Sequence, residues 1–285
     1  MTSTESEHGM ADHQEQQIRP VAIVTGASGG IGEATARALQ AAGYRVFGTY
    51  RRPPPATRLA GVEYVACDVT GDEAVQTAVG QVLAKAGRVD LLVNNAGVGL
   101  IAGAEESSLE QAKSLFDVNL FGVFRMTKAV LPTMRQQGSG RIVNISSVMG
   151  LIPAPFMALY AASKHALEGY SESLDHEIRA TGVRVVLVEP AYTRTSFEGN
   201  VYQADQQLDF YQSARTNAEG VLRDEMKTAD TPELVANAVV KAATEVNPNR
   251  RYAAGRMARQ VSLLRRFVPA SAFDKSLRKQ MRLPA

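Results

Sequence analysis

Short apolar runs alternate with helically spaced segments along most of this 285-residue chain. That alternation restricts the fold more than any other feature. Val21 to Thr25 is an apolar run ending in glycines, as expected of a strand buried on both faces. Residues 31–42 have helical spacing and stop at Gly43. Further strands are predicted over 45–50, 62–69, 89–94, 141–146, 183–189 and 251–254, the one at 45–50 closed by Pro53-Pro54-Pro55. Helices are predicted over 72–86, 158–180 and from Pro232 to about Glu245, the last with Thr231 as N-cap and proline at the first helical position. Another helical region starts at Ser107 or Ser108 and runs towards Gln137, interrupted around Asn119 and Pro132. Strand and helix in strict succession give an α/β chain with a doubly wound, mainly parallel seven-stranded sheet. Residues 196–230 break the pattern, being polar and poorly periodic. A connection that long inside a compact domain is usually functional.

Composition bounds the rest. One cysteine, Cys67, excludes an intramolecular disulfide framework and fits a reducing, cytoplasmic compartment. A formal charge of +2 gives no global polycation for nucleic acid. The chain holds no run of 18 apolar residues, so a spanning helix is not expected. The polar stretch Met1 to Gln17 reads as a disordered leader, not a signal peptide, and sets a first segment of 1–18. A catalytic domain follows over 19–255, then a basic helical extension over 256–285. Charge is polarised along the chain: Asn249 to Ala285 carries +9, and the remainder −7.

Thr25-Gly-Ala-Ser-Gly-Gly-Ile-Gly32 joins the first strand to the first helix. Glycines allow a tight turn and close approach to a pyrophosphate, and the helix N-terminus offers N–H donors and partial positive charge. The strict G-x-G-x-x-G spacing is absent. With Asn94-Asn95-Ala96-Gly97, Asn119, Ser147 and Tyr160-Ala-Ala-Ser-Lys164, the turn resembles the short-chain dehydrogenase/reductase family and its Rossmann fold. The glycine turn fits two branches of that family; the asparagine and tyrosine motifs select the compact single-domain branch. The resemblance covers roughly Pro20 to Gly255, and departs from the family where Pro190-Ala191 replaces proline-glycine.

Carbonyl reduction requires a hydride on carbon and a proton on oxygen. A free tyrosine has a pKa near ~10, and a nearby ammonium favours the phenolate. Tyr160 and Lys164 stand at i and i+4 on one helix face. The resemblance implies Tyr160 as acid/base, with Lys164 as its electrostatic partner and ribose ligand. It implies Ser147 as the hydroxyl that holds the substrate oxygen, and Asn119 as part of a proton relay. It places Gly26, Ser28, Gly29, Gly30, Ile31, Gly32, Asp68, Val69, Asn95, Ala96, Gly97, Pro190, Tyr192, Thr193 and Thr195 against the cofactor, with Asn94 bracing the sheet. Ala191 should raise the cost of any positive φ at its position. Met149 and Phe197 are candidate substrate contacts, as are Tyr202, Phe210 and Tyr211 in the 196–230 cover. At the end of the second strand, where NAD enzymes place an acidic residue, stand Tyr50, Arg51 and Arg52. Guanidinium without carboxylate points to NADP rather than NAD.

His165 and His176 are too far apart along their helix to hold one metal ion, and Cys67 reads as a core thiol. The leading expectation is an NADP-dependent oxidoreductase interconverting a secondary alcohol and a ketone on a hydrophobic small molecule, as a dimeric or tetrameric homo-oligomer. The alternatives are a nucleotide-binding regulator on the same fold and a membrane-surface protein acting through its tail. Met257, Val261, Leu264 and Val268 form a stripe between arginines there, and packing on the body or on a sister subunit is the preferred reading.

Overall fold

A computed structural model describes residues 19–51, 59–103, 105–195 and 201–283. The leader over 1–18 and Arg52 lie outside the described residues. In chain order the first half comprises β1 (Val21–Val24), α1 (Gly30–Ala41), β2 (Arg45–Tyr50), β3 (Val62–Ala66), α2 (Asp72–Ala86), β4 (Leu91–Asn94), β5 (Gly99–Ile101), α3 (Leu109–Phe116) and α4 (Gly122–Gln137). The second comprises β6 (Gly140–Ile145), α5 (Ala158–Ile178), β7 (Val183–Pro190), β8 (Val201–Gln203), α6 (Gln212–Met226), α7 (Pro232–Thr244), β9 (Arg251–Ala254), α8 (Arg256–Phe267) and α9 (Ala270–Gln280).

Seven strands form one parallel sheet in the order β3-β2-β1-β4-β6-β7-β9. All seven expected strands are therefore present. Side chains alternate across a strand, so each strand feeds two cores. Val21 and Ile23 face a layer with Val75, Val79 and Val82 of α2 and Met126, Val130 and Met134 of α4. Ala22 and Val24 face the opposite layer with Ala36 and Leu39 of α1 and Val235 and Val239 of α7. The chain moves outward from β1 in both directions, to β2 and then to β4, which opens a crevice between the carboxyl ends of β1 and β4.

Three local outcomes differ from expectation. The helical region after Ser108, whose hydroxyl accepts from Gln111 N at 3.1 Å, does break at Asn119 but not at Pro132. A single π-helical turn, Asp117–Phe121, separates α3 from α4, which continues through the proline. Val130 and Met134 flank Pro132 and are fully buried, and their packing offsets the lost backbone bond. The short β5 and β8 pair with each other in a separate two-stranded sheet, and three residues each are too few for periodicity to announce. Residues 196–230, irregular by pattern, contain α6, which tertiary contacts hold. Glu106, 1% exposed, pairs with Arg215 of α6 and accepts from Gly103 N at 2.6 Å and Leu208 N at 2.9 Å.

The tail packs on the body through part of its stripe. Ala258 and Val261 join Val148, Met149 and Ile152, while Leu277 and Met281 join Ala218 and Val221 of α6. Leu264 instead stands 50% exposed, next to Leu263 and Phe267. Arg282 reaches Asp224 of α6 at 3.1 Å.

Two outcomes are expected from this packing. Deleting residues 256–285 uncovers both clusters and should lower the melting temperature and raise KM more than it lowers kcat; calorimetry and steady-state kinetics check this. Glu106→Ala leaves the Arg215 guanidinium buried without its partner and should cost about 3–5 kcal/mol in denaturant unfolding.

Candidate active site

The turn after β1 is built for close approach. Gly26 has φ +64°, in the left-handed region that favours glycine. A Cβ on Gly32 would stand 2.2 Å from the Gly26 carbonyl oxygen, so only glycine lets the first turn of α1 pack under the loop. Thr25 Oγ1 accepts from the backbone N–H groups of Asn95 (2.9 Å) and Ala96 (3.0 Å). Asn95 Nδ2 donates back to the carbonyls of Thr25 (2.9 Å) and Gly26 (3.2 Å). These bonds lock the loops after β1 and β4 together. Between Asn94 Nδ2 and Asn144 Oδ1 a 2.9 Å bond spans β4 and β6, and Asn144 donates on to Ser171 of α5 at 2.8 Å.

A cavity of about 450 Å³ occupies the crevice, in the range of ligand sites. Gly26, Ser28, Gly29, Gly30 and Ile31 line its floor beside Asn95, Ala96 and Gly97. Asp68, Val69 and Arg51 form one end, and Pro190, Tyr192, Thr193 and Thr195 the other. Burial pushes the Asp68 carboxyl up, but the Thr70 N–H (3.0 Å) and hydroxyl (2.7 Å), with Arg51 and Arg125, outweigh it and hold the group below its ordinary value. The residues fit a dinucleotide: a cradle that a Cβ would fill, amides at a helix N-terminus for phosphate, and a cation at the far end. No carboxylate ends β2, where Tyr50 packs its ring on Tyr64 at 6.3 Å. Ala191 takes no positive φ, so the exchange of glycine for alanine adds no strain there.

Ser147, Tyr160 and Lys164 meet at the centre of the cavity wall. The Tyr160 hydroxyl lies beside the Ser147 side chain, whose Oγ accepts from Met149 N at 3.1 Å. Lys164 Nζ lies 5.9 Å from the Tyr160 ring centroid and donates to the Ile145 carbonyl at 2.9 Å. Asn119, on the π-turn, accepts from Val98 N and donates to Val98 O, both at 2.9 Å, and donates to Ser163 Oγ at 3.2 Å. It sits behind the cavity, not on its wall. A π-turn rotates its residues out of α-helical register, which lets the Asn119 side chain reach back to the β4 loop.

The expected depression of the tyrosine pKa by lysine is not found. Burial pushes Tyr160 up to about 12, against the Ser147 side chain, and pulls Lys164 down to about 8, against the Glu168 charge. Desolvation sets both directions: the two groups are buried, and Nζ, 5.9 Å from the ring centroid, donates to the Ile145 carbonyl. A phenol held protonated at neutral pH can donate a proton.

Met149 lines the cavity, while Phe197 lies outside the described residues. Phe210 is 84% exposed and is no substrate contact in this form; Tyr211 turns to Phe156 (6.2 Å) and Glu105 (3.1 Å). The apolar wall comes instead from Leu100 and Ile101 of β5, Val201 of β8, Met157, and Leu222 and Met226 of α6. The segment between Ser147 and Tyr160 pointed to Met157; the β5, β8 and α6 residues were missed, and only the 3.6-residue spacing of Ala218, Leu222 and Met226 offered a signal. Cys67 is buried and pushed up to about 11 by burial and Asp68, as a core thiol should be. Among the described residues no cluster could hold a metal ion and no helix is long and apolar enough to cross a membrane.

Residues 20–206 match the short chain dehydrogenase family model. The chain is 35% identical to a 3-ketodihydrosphingosine reductase of Bacteroides thetaiotaomicron, over 82% of this chain and 87% of that one. Among solved structures, it is similar to a short-chain dehydrogenase/reductase from Burkholderia phymatum in complex with NAD (TM-score 0.73, 28% identity, covering 82% and 88%). It is also similar to a metagenomic short-chain oxidoreductase in complex with NADP (TM-score 0.63, 31% identity, covering 81% and 95%). With the glycine cradle, the tyrosine–lysine pair and the crevice in place, the chain belongs to the short-chain dehydrogenase/reductase family of NAD(P)-dependent oxidoreductases.

Proposed function

We propose that the protein reduces a ketone to a secondary alcohol, or runs the reverse, with NADP and on a hydrophobic small molecule. The observation that carries this reading is the contact of Tyr160 with Ser147, one helical turn from Lys164, on the wall of the cavity that the glycine cradle floors. The nicotinamide cofactor, when bound, supplies or takes the hydride. Ser147 holds the substrate oxygen as its charge changes, and Tyr160 delivers the proton to that oxygen or removes it. Lys164, a buried cation fixed by the Ile145 carbonyl, stabilises the phenolate left on Tyr160 and offers a donor to the ribose. Asn119 secures the loop after β4 and the polar path behind Lys164.

Arg51 at the cavity end, with Tyr50 where a carboxylate would be, supports NADP over NAD. The apolar wall of Leu100, Ile101, Met149, Leu222 and Met226 supports a hydrophobic substrate, and the sphingoid-base reductase relative is consistent with a lipid-like ketone. Assembly as a homo-oligomer belongs to the same reading: Leu109, Phe121 and Phe124 stand exposed along α3, the π-turn and α4.

Tyr160→Phe should reduce kcat by about 10²–10⁴-fold while the melting temperature holds, since only the proton-carrying hydroxyl is lost. A variant retaining more than about a tenth of wild-type turnover in a cofactor-oxidation assay would contradict the assignment. Replacing Arg51 and Arg52 with alanine should weaken NADP binding by about 1.5–3 kcal/mol for each charge-assisted bond and leave NAD nearly unchanged. Titration with both cofactors measures this, and equal loss for the two would make the arginines structural.

A further inference from the structure

A single guanidinium behind the active site faces three carboxylates. Arg251 Nη1 lies 2.5 Å from Glu168 Oε2 and 2.8 Å from Glu189 Oε1, and Nε lies 3.0 Å from Glu172 Oε1. Glu168 and Glu189 are 4% and 1% exposed, whereas Glu172 reaches solvent. Two buried carboxylates on one cation cannot both ionise without a large electrostatic cost, so a proton is retained between them. Both are pushed up by burial, Glu168 to about 7 with the Glu189 charge adding to it. Neither Glu168 oxygen completes a hydrogen bond of normal geometry, which leaves a place for that proton.

The position of Glu168 ties this cluster to the chemistry. It stands one turn beyond Lys164 and two beyond Tyr160 on the same face of α5. Its stem presses on the loop that carries Ser147: a Cβ on Gly150 would meet Glu168 Cγ and Ser146 Oγ, each at 2.8 Å. Glu189 directly precedes Pro190 at the other end of the cavity. The groups that face Glu168 are Lys164 and Glu172 from α5, Ser146 from the loop after β6, Glu189 from β7 and Arg251 from β9.

We propose that Glu168 is a positioning residue: it shares a proton with Glu189 across Arg251, and its carboxylate keeps Lys164 charged and in place behind Tyr160. The inference rests on the roles given above to Tyr160 and Lys164. Ionised Glu168 opposes the burial that drains charge from Lys164, so it extends activity towards alkaline pH.

The test is the pH profile of kcat for carbonyl reduction in the full-length protein. Glu168→Gln keeps the shape and removes the charge, so the alkaline limb should move to lower pH by roughly one unit. Glu189→Gln removes the neighbouring carboxylate, so Glu168 should ionise at lower pH and the fall in melting temperature on raising the pH should begin earlier, while the alkaline limb, above the range in which Glu168 titrates, stays near wild type. A bracing role through packing alone would move neither the limb of Glu168→Gln nor the melting profile of Glu189→Gln. A Glu168→Gln limb that coincides with wild type, or a Glu189→Gln melting profile that does, overturns the proposal. Melting gives a second reading that needs no catalysis. A carboxyl whose folded pKa lies above its unfolded value (about 4.3) contributes stability that is full below the unfolded value and lost as pH rises to about 7. Glu168→Gln should lack that decline, and an unchanged slope between pH 4.5 and 7 counts against the shared proton. Should Glu168→Gln fail to fold, Glu189→Gln still decides by whether its melting profile moves to lower pH. If Tyr160→Phe remains active, the site assignment fails. If Tyr160→Phe is inactive and the Glu168→Gln limb stays in place, the role of Glu168 alone fails.

Discussion

A parallel sheet covered on both faces has no room for unpaired polar groups, and the placement of every functional residue follows from that. Along β1, β4, β6 and β7 the inward positions are valine, leucine, isoleucine and alanine on both sides. Polar groups at the strand ends must pair with one another, as Asn94 does with Asn144 and Asn144 with Ser171. Chemistry is thereby pushed to the carboxyl ends, where the chain leaves the sheet and the backbone turns. The reversal of direction on either side of β1 makes one of those ends a crevice, and the glycine turn, the Asn95 loop and Ser147 all open onto it.

The long helix α5 supplies the rigid half of the site. Three residues at four-residue intervals, Tyr160, Lys164 and Glu168, descend from the cavity wall into the protein, and their surroundings grow less aqueous along the way. Desolvation is the largest influence on each of them. It keeps the phenol protonated, weakens the hold of lysine on its proton and raises the glutamate into the neutral range. The site therefore balances burial against a short chain of opposing charges that ends on Arg251. The π-turn at Asn119 serves the same region from the other side, by aiming one amide at Val98 in the loop after β4.

The cover over the cavity is held differently. Its strand β8 is three residues long and its helix α6 has a polar sequence, so neither would persist alone. Glu106 and Arg215 fix α6 to the loop after β5, and the tail clamps it from outside through Leu277 of α9 and Met281 and Arg282 just after it. The basic tail thus stabilises the part of the molecule that shapes the substrate space. Part of its apolar surface, Leu263, Leu264 and Phe267, remains open.

Most of the fold was legible in the sequence, because a strand buried on both faces needs an unbroken apolar run and a crossover helix needs a 3.6-residue stripe. The seven strands, the glycine cradle and the i, i+4 spacing of Tyr160 and Lys164 are local facts that the chain carries wherever it folds. Some matters could be decided only in three dimensions. Continuation of α4 through Pro132 depends on what packs beside it. The helical state of residues 212–226 depends on a buried ion pair with a residue more than a hundred positions away. The apolar wall is assembled from β5, β8 and α6, none of which has a pattern strong enough to be read alone. Directions of charge were equally hidden: the i, i+4 spacing brought lysine near tyrosine, but burial, a property of the assembled layers, set which of them holds its proton more tightly. Local spacing fixes which groups are neighbours along an element; the dielectric around them, and so their chemistry, comes from what the rest of the chain places on top.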